Sequence, residues 1–228
     1  MSVSSKRLIL IKHIRKTLYL FVLIGYSFAV AGSYEDFFQA VQRDDADDVS
    51  SLLRRGFDPN TLDPQLRQAL FIALTEPSPR VLEVLLKWPA TKFDQRNPHD
   101  ETPLMLAALK GNLGTVKALI ARDADVNKTG WAPLHYAATN GHVEVMKLLL
   151  EQHAYIDAAS PSGNTPLMMA ALYGTPEAVK LLLDEGADPN LKNEQQLSAS
   201  DFARRGSREE SAALIDAASR RTRSAGKP

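Results

Sequence analysis

Apolar positions recur at a regular spacing along the middle of the chain. Three ten-residue stretches align without gaps, at 102–111, 132–141 and 165–174. Each holds a short apolar run and is followed by a second group, in which apolar residues stand three and four positions apart. The second groups are Val116, Leu119 and Ile120, then Met146, Leu149 and Leu150, then Val179, Leu182 and Leu183. These spacings place side chains on one face of a helix, so each unit is predicted to be a pair of short helices.

The ends of the three stretches fit helix boundaries. Thr-Pro at 102–103 and at 165–166 combines an N-cap residue with a first-turn proline, which needs no backbone hydrogen bond. Gly111, Gly141 and Gly174 close the stretches, where a left-handed backbone would end a helix. One helix pair is too small to bury its own apolar face, so neighbouring units are predicted to stack into an array.

This pattern resembles the ankyrin repeat, whose signature runs Thr-Pro-Leu-His-x-Ala-Ala, Gly-His, Val-x-x-Leu-Leu and Gly-Ala-Asp-x-Asn. Gly186–Asn190 ends one unit with the last motif, and Asp123–Asn127 ends another with a close variant. Weaker units flank these, so the resemblance covers about residues 35 to 216. It implies an all-α repeat solenoid of about five to six helix-turn-helix repeats joined by β-hairpin fingers, in a domain at 32–216.

Two segments depart from the regular pattern. The segment Asn127–Ala132 is three residues shorter than its counterparts, so the finger there is expected to be blunted. The basic tail at 217–228 carries no repeat signature, and we expect it to be disordered.

The first 31 residues have the order of a secretory signal peptide. Five basic residues precede an apolar run, and the segment holds no acidic residue. The apolar run ends in Ala29-Val30-Ala31. The expected cleavage follows Ala31. The alternative is an uncleaved membrane anchor, although the apolar run is shorter than the roughly 20 residues that span a bilayer. Either outcome places the rest of the chain outside the cytoplasm.

The sequence offers no group that indicates catalysis. The chain has no cysteine, and neither nucleotide-loop glycine motif nor metal-spaced histidine pair occurs. His135 and His142 stand at positions where the resemblance implies structural histidines. Beyond residue 31 the chain has 22 basic and 27 acidic residues, which gives no reason to expect nucleic acid. We therefore expect no enzyme activity, no metal and no cofactor.

The resemblance implies a protein-binding surface, because ankyrin arrays bind proteins along the concave face lined by first helices and fingers. Carried over by position, the candidate residues are Leu109, Lys110, Trp131, Tyr136, Thr139, Asn140, Met169, Leu172 and Tyr173. Trp131, Leu172 and Tyr173 are expected to face solvent. For Tyr136 and Met169, as for Leu106, packing between repeats is an equal alternative.

The sequence as a whole favours a non-enzymatic, monomeric protein-binding module that is exported, most simply to the periplasm of a Gram-negative bacterium. One alternative is a scaffold held at the membrane by an uncleaved signal segment. Another is a secreted effector or an inhibitor of the immunity type. The partner is expected to be a protein whose identity the sequence does not reveal.

Overall fold

A computed structural model describes residues 32–76 and 78–225, with side chains described as far as Thr222. The predicted signal peptide at 1–31 and the last three residues lie outside the described residues. The described part forms twelve helices in six consecutive pairs, here called repeats 1 to 6. The helices are α1 (32–42), α2 (Ala46–Arg54), α3 (Ala69–Thr75), α4 (Pro79–Lys87), α5 (Pro103–Leu109), α6 (Leu113–Ile120), α7 (Pro133–Thr139), α8 (Val143–Glu151), α9 (Pro166–Leu172), α10 (Pro176–Asp184), α11 (Ala199–Arg205) and α12 (Glu209–Ala225).

The helix boundaries in repeats 3 and 5 follow the Thr-Pro signal. The hydroxyl oxygens of Thr102 and Thr165 accept the backbone N–H groups of Met105 and Met168, each at 3.3 Å. Gly111 and Gly141 end α5 and α7 with left-handed φ angles of 67°. Gly174 differs from the prediction, because its φ angle is not left-handed. Glycine is needed here because the backbone lies close to the preceding repeat: a Cβ would lie 2.4 Å from the carbonyl oxygen of Ala138.

The core lies between the two layers of helices. The first helices α5, α7, α9 and α11 pack closely on one another, whereas the second helices α6, α8 and α10 pack more loosely. Residues 104–108 of α5 and 167–171 of α9 are buried throughout, so each first helix is enclosed by its neighbours. Closer packing on one side curves the array, with the first helices on the inner side. Among the described residues, no helix is both long and apolar enough to cross a membrane.

Five loops, here called fingers, join the repeats. Fingers 1, 2, 4 and 5 (60–68, 94–102, 157–165 and 190–198) have nine residues, and finger 3 (127–132) has six. Within the described residues, β-pairing is confined to isolated antiparallel bridges, between Leu62 and Gln68 and between Lys192 and Ser198. Each of the four nine-residue fingers is closed by a backbone hydrogen bond, in which the N–H groups of Asp63, Asn97, Ser160 and Asn193 donate to the carbonyls of Arg67, Glu101, Asn164 and Leu197.

The last helix differs from the expected disordered tail. Instead of ending near residue 216, α12 continues to Ala225. The positions 33 residues after Gly186-Ala187-Asp188 hold Ser219-Arg220-Arg221. These lack the glycine and the small buried residue that turn the chain after α10, so the helix continues.

Candidate protein-binding surface

Trp131 and Tyr136 form an aromatic pair where finger 3 enters α7. The Tyr136 hydroxyl donates to a carboxylate oxygen of Glu101 in finger 2, at 3.0 Å. The Trp131 ring stands edge-on to Tyr136, with centroids 6.4 Å apart. Burial, together with the Glu101 carboxylate, raises the pKa of Tyr136, so its hydroxyl keeps its proton at neutral pH. Both rings are half-buried and held in fixed orientations.

His135 has a structural role, because hydrogen bonds of its ring hold the base of finger 3 in place. Its Nδ1 accepts the Ala132 N–H at 3.1 Å, and its Nε2 lies 3.0 Å from the Asn164 carbonyl oxygen of finger 4. Because a carbonyl only accepts, Nε2 carries the proton and the ring is neutral. Burial lowers the pKa of His135, which favours this neutral form. The Trp131 ring contacts the imidazole edge-on at 5.2 Å, so His135 also orients the tryptophan.

The polar candidates of the sequence prediction bond to the ends of first helices. Lys110 donates to the Thr75 carbonyl at 3.1 Å, and Asn140 donates to the Leu109 carbonyl at 2.7 Å. The Thr139 hydroxyl donates to the His135 carbonyl of its own helix at 2.8 Å. Lys110 and Asn140 are exposed, yet each joins its repeat to the preceding one. Their hydrogen bonds link neighbouring first helices.

The apolar candidates divide between surface and interior. Tyr173 is 55% exposed, and Leu109 and Leu172 are half-buried at the ends of their helices. Met169 is only 8% exposed, and Leu106 is 7% exposed. Of the two alternatives open for these residues, their burial favours packing inside the array.

The structure adds Tyr155, which the sequence prediction missed. Its side chain is 68% exposed and borders a cavity of about 230 Å³ beside the short finger 3. The other residues around the cavity are Asn127, Lys128, Thr129, Gly130, Ala132, Ala158 and Ala159. The sequence does distinguish this residue, because Tyr155 stands where Asp125 and Asp188 stand after the neighbouring second helices. An aromatic residue at a polar loop position indicates a contact site.

Lys128 forms one wall of that cavity and ties finger 3 to finger 2. Its side chain is only 2% exposed, and its ammonium donates to a carboxylate oxygen of Asp100 at 2.5 Å. The hydrogen bond from Lys128 lowers the pKa of Asp100, and Arg96 also donates to this carboxylate at 2.9 Å. The cavity beside finger 3 is therefore bordered by a charge-paired contact that limits the movement of both fingers.

The described residues contain no group of three or more histidine and acidic side chains that could hold a metal ion. The polar side chains among the candidate residues bond to backbone carbonyls or to a carboxylate.

Comparison with known proteins identifies the family. A family profile described as ankyrin repeats, in three copies, matches residues 37–130 and 124–193. The nuclear factor NF-kappa-B p105 subunit of Gallus gallus is 32% identical over 69% of this chain and 17% of its own length. The ankyrin repeat and SAM domain-containing protein 6 of Rattus norvegicus is 33% identical over 47% of this chain and 12% of its own length. The neurogenic locus notch homolog protein 2 of Homo sapiens is 36% identical over 49% of this chain and 5% of its own length.

The chain thus matches only a small share of the length of each of these relatives. Arrays of this kind are generally non-catalytic and serve as protein–protein interaction modules. From its six helix pairs and the profile match, the chain belongs to the ankyrin-repeat family.

Proposed function

We propose that this protein is an exported, periplasmic module that binds a partner protein along its inner surface, defined here as Leu109, Trp131, Tyr136, Leu172 and Tyr173. The observation that carries the proposal is a set of three aromatic rings, those of Trp131 in finger 3, Tyr136 within α7 and Tyr173 at the end of α9. Aromatic side chains are favoured anchors of protein interfaces, because they bury a large area with little loss of rotamer freedom.

The fixed geometry of these rings supports binding. Trp131 and Tyr136 are oriented by His135 and Glu101, so little conformational entropy is lost when a partner packs on them. The cavity beside Tyr155 offers room for one side chain of the partner. The excess of acidic residues beyond residue 31 favours a partner with a neutral or basic contact surface.

The proposed export depends on the N-terminal sequence. Its basic residues, apolar run and Ala29-Val30-Ala31 have the order that a secretory pathway recognises. The absence of cysteine from the whole sequence is compatible with an oxidising compartment.

The binding surface is tested by photo-crosslinking in the source cell. A crosslinking amino acid is placed at Tyr173 or, as a control, at Lys180 on α10, whose side chain is 65% exposed. We expect a partner to be captured at Tyr173 and not at Lys180. Capture of the same protein with equal yield at both positions would contradict binding by the inner surface.

The captured partner is then purified and its affinity is measured with two matched variants. We expect Tyr173→Ala to weaken binding about tenfold or more, since an interface anchor contributes at least about 1.4 kcal/mol. Lys180→Ala should leave the affinity unchanged. Equal affinities for both variants would exclude Tyr173 as an anchor.

Export is tested separately by cell fractionation and by the mass of the purified protein. We expect a periplasmic protein whose first residue is Gly32. A full-length protein in the cytosolic fraction would contradict export while leaving the binding result intact. A full-length protein in the membrane fraction would indicate the anchored scaffold instead.

A further inference from the structure

The first residue of finger 3, Asn127, binds the backbone of the next repeat at two points. Its Nδ2 donates to the His153 carbonyl at 2.9 Å, and its Oδ1 accepts the Tyr155 N–H at 2.8 Å. Ala154, the residue between these two, is buried. The asparagine therefore recognises a short backbone segment with a small residue at its centre.

The same arrangement recurs along the array. Asn60 donates to the Ala90 carbonyl and accepts the Lys92 N–H, both at 2.8 Å, around the buried Thr91. Aspartates in fingers 2 and 4 make the accepting half of the contact. Asp94 accepts the Asp125 N–H at 2.9 Å beside Ala124, and Asp157 accepts the Asp188 N–H at 3.2 Å beside Ala187. Each of these four contacts joins one repeat to the next.

Asn190 has the same position in finger 5, but residues 219–221, which correspond to the return loop after α10, lie within α12. Its Nδ2 donates to the Thr222 hydroxyl at 2.9 Å and to Asp188 at 3.2 Å. Its Oδ1 is shielded from solvent and has no hydrogen-bond partner among the described residues. A buried acceptor without a donor is unfavourable, so a backbone N–H at this position would be stabilising.

A groove lies beside this unpartnered oxygen because α12 runs straight on where a loop would otherwise turn back. Its volume is about 430 Å³, within the range of small binding sites. The lining residues are Leu183, Gly186, Ala187, Asp188, Pro189, Asn190, Ala218 and Thr222. The groove thus occupies the place that a return loop after α12 would fill.

We propose that this groove binds an extended segment of a partner protein that has a small residue, such as alanine, serine or threonine, at its centre. Asn190 pairs with the carbonyl before that residue and with the N–H after it, as Asn127 does within the array. Thr222 turns aside to a different rotamer, which frees the asparagine amide. This end of the array is a second contact site, separate from the inner surface.

A second copy of this chain fits the groove poorly. The equivalent loop of its first repeat presents Phe57 at the central position, where repeats 2 to 5 hold threonine or alanine. Phe57 is stacked on Phe37 with centroids 4.3 Å apart, so it is not available for insertion. The occupant is therefore expected to be a different protein.

The test uses the purified full chain, labelled with nitrogen-15, and a blocked synthetic peptide with the sequence of residues 151–158, which is the segment that Asn127 holds. We expect millimolar peptide to shift the side-chain amide signals of Asn190 and the backbone signals of Ala187 and Ala218. The same peptide N-methylated at the tyrosine after the alanine should bind about tenfold more weakly, the loss expected for one hydrogen bond.

Three variants distinguish recognition by Asn190 from nonspecific binding of the peptide. Asn190→Asp keeps the acceptor, as at Asp94 and Asp157, but loses the amide donor, so it should bind about tenfold more weakly than the parent chain. Asn190→Leu loses both hydrogen bonds and should bind about a hundredfold more weakly. Thr222→Ala uncovers the amide without weakening the helix and should bind more tightly.

Three results would overturn the proposal. The first is unchanged Asn190 signals at millimolar peptide. The second is equal binding of the parent and N-methylated peptides. The third is a concentration-dependent shift of the Asn190 signals without any peptide, which would identify a second copy as the occupant. None of these depends on binding at Tyr173.

Discussion

Repeats 5 and 6 are both pairs of helices, but their second helices end differently. The nine-residue α10 is followed by Gly186, with a φ angle of 96°, and by the buried Ala187, which turns the chain back. The 17-residue α12 has serine and arginine at the matching positions and does not turn. Helix length in this array is therefore set by the residues that close the return loop, and less by helix propensity.

The same comparison applies to side chains that reach across repeats. His135 stands at the third position of α7 and bonds to finger 4, whereas Asp201, at the third position of α11, bonds only to Ser198 of its own repeat. A residue in a central repeat therefore stabilises two repeats, whereas a residue in the terminal repeat stabilises one. Matched substitutions should lower the free energy of unfolding more in the central repeat than in the terminal repeat.

The largest difference is expected at these two positions. His135→Ala leaves a cavity and two buried backbone groups without partners, so it should lower the free energy of unfolding by about 4 kcal/mol. Asp201→Ala removes a helix cap at a partly exposed site and should cost about 1 kcal/mol. Urea denaturation of both variants measures the two values. Equal losses would show that the array does not distinguish central from terminal positions.

Two glycines test close packing between repeats. A Cβ at Gly174 would lie 2.4 Å from the carbonyl oxygen of Ala138 and 2.8 Å from that of Ala170. At Gly206, which directly follows α11 and stands one position before the residue that matches Gly174, the nearest atom is the Leu172 carbonyl oxygen at 2.7 Å. We expect Gly174→Ala to cost about 3 kcal/mol and Gly206→Ala about half as much. Thermal unfolding of the two proteins compares them, and the opposite order would contradict this explanation.

The sequence predicts most of the fold because the repeat signals are local. Thr-Pro at 102–103, the glycines after α5, α7 and α9 and the paired apolar residues act within one unit, so they identify the helix pairs of repeats 3 to 5 and their stacking. The continuation of α12 was missed, because a tail without a repeat signature was expected to be disordered. The absence of glycine at Ser219 and of a small residue at Arg220 could have indicated a longer helix instead.

The candidate surface was predicted less completely, because exposure depends on the neighbouring repeat. Position alone placed Tyr173 and Met169 on one helix face, but Met169 is buried and Tyr173 is exposed. The bonds from Lys110 and Asn140 to carbonyls of the preceding repeat span more than 30 residues, and no local pattern reveals them.

Stability should depend on pH through the buried His135, in contrast to the terminal Asp201. The pKa of His135 is lowered by burial, so below about pH 6.5 the unfolded chain binds a proton that the folded chain does not. Stability therefore falls as pH decreases from this value, by at most about 1.4 kcal/mol per pH unit. Hydrogen bonds from Ser198 lower the pKa of Asp201, so its contribution is lost only at more acidic pH.

The matched variant for this prediction is His135→Gln. Its free energy of unfolding, measured in urea between pH 7 and about 5.5, should have a flatter pH dependence than that of the parent chain. A slope identical to that of the parent chain would show that other groups titrate in this range.

The smallest effect on stability is expected from rebuilding the end of repeat 6 on the plan of repeat 5. The triple variant Ser219→Gly, Arg220→Ala, Arg221→Asp restores the residues that turn the chain after α10. We expect α12 to end near residue 217 and the new loop to bring the N–H of residue 221 to Asn190. The free energy of unfolding should change by less than about 1 kcal/mol, because the new hydrogen bond offsets the lost helical turns.

Far-ultraviolet circular dichroism and amide hydrogen exchange at residue 221 measure these changes. Arg220→Ala alone should keep the long helix, since alanine favours it. A triple variant that stays helical to residue 225 would show that packing on α10 and α11, and not the loop sequence, sets where the last helix ends.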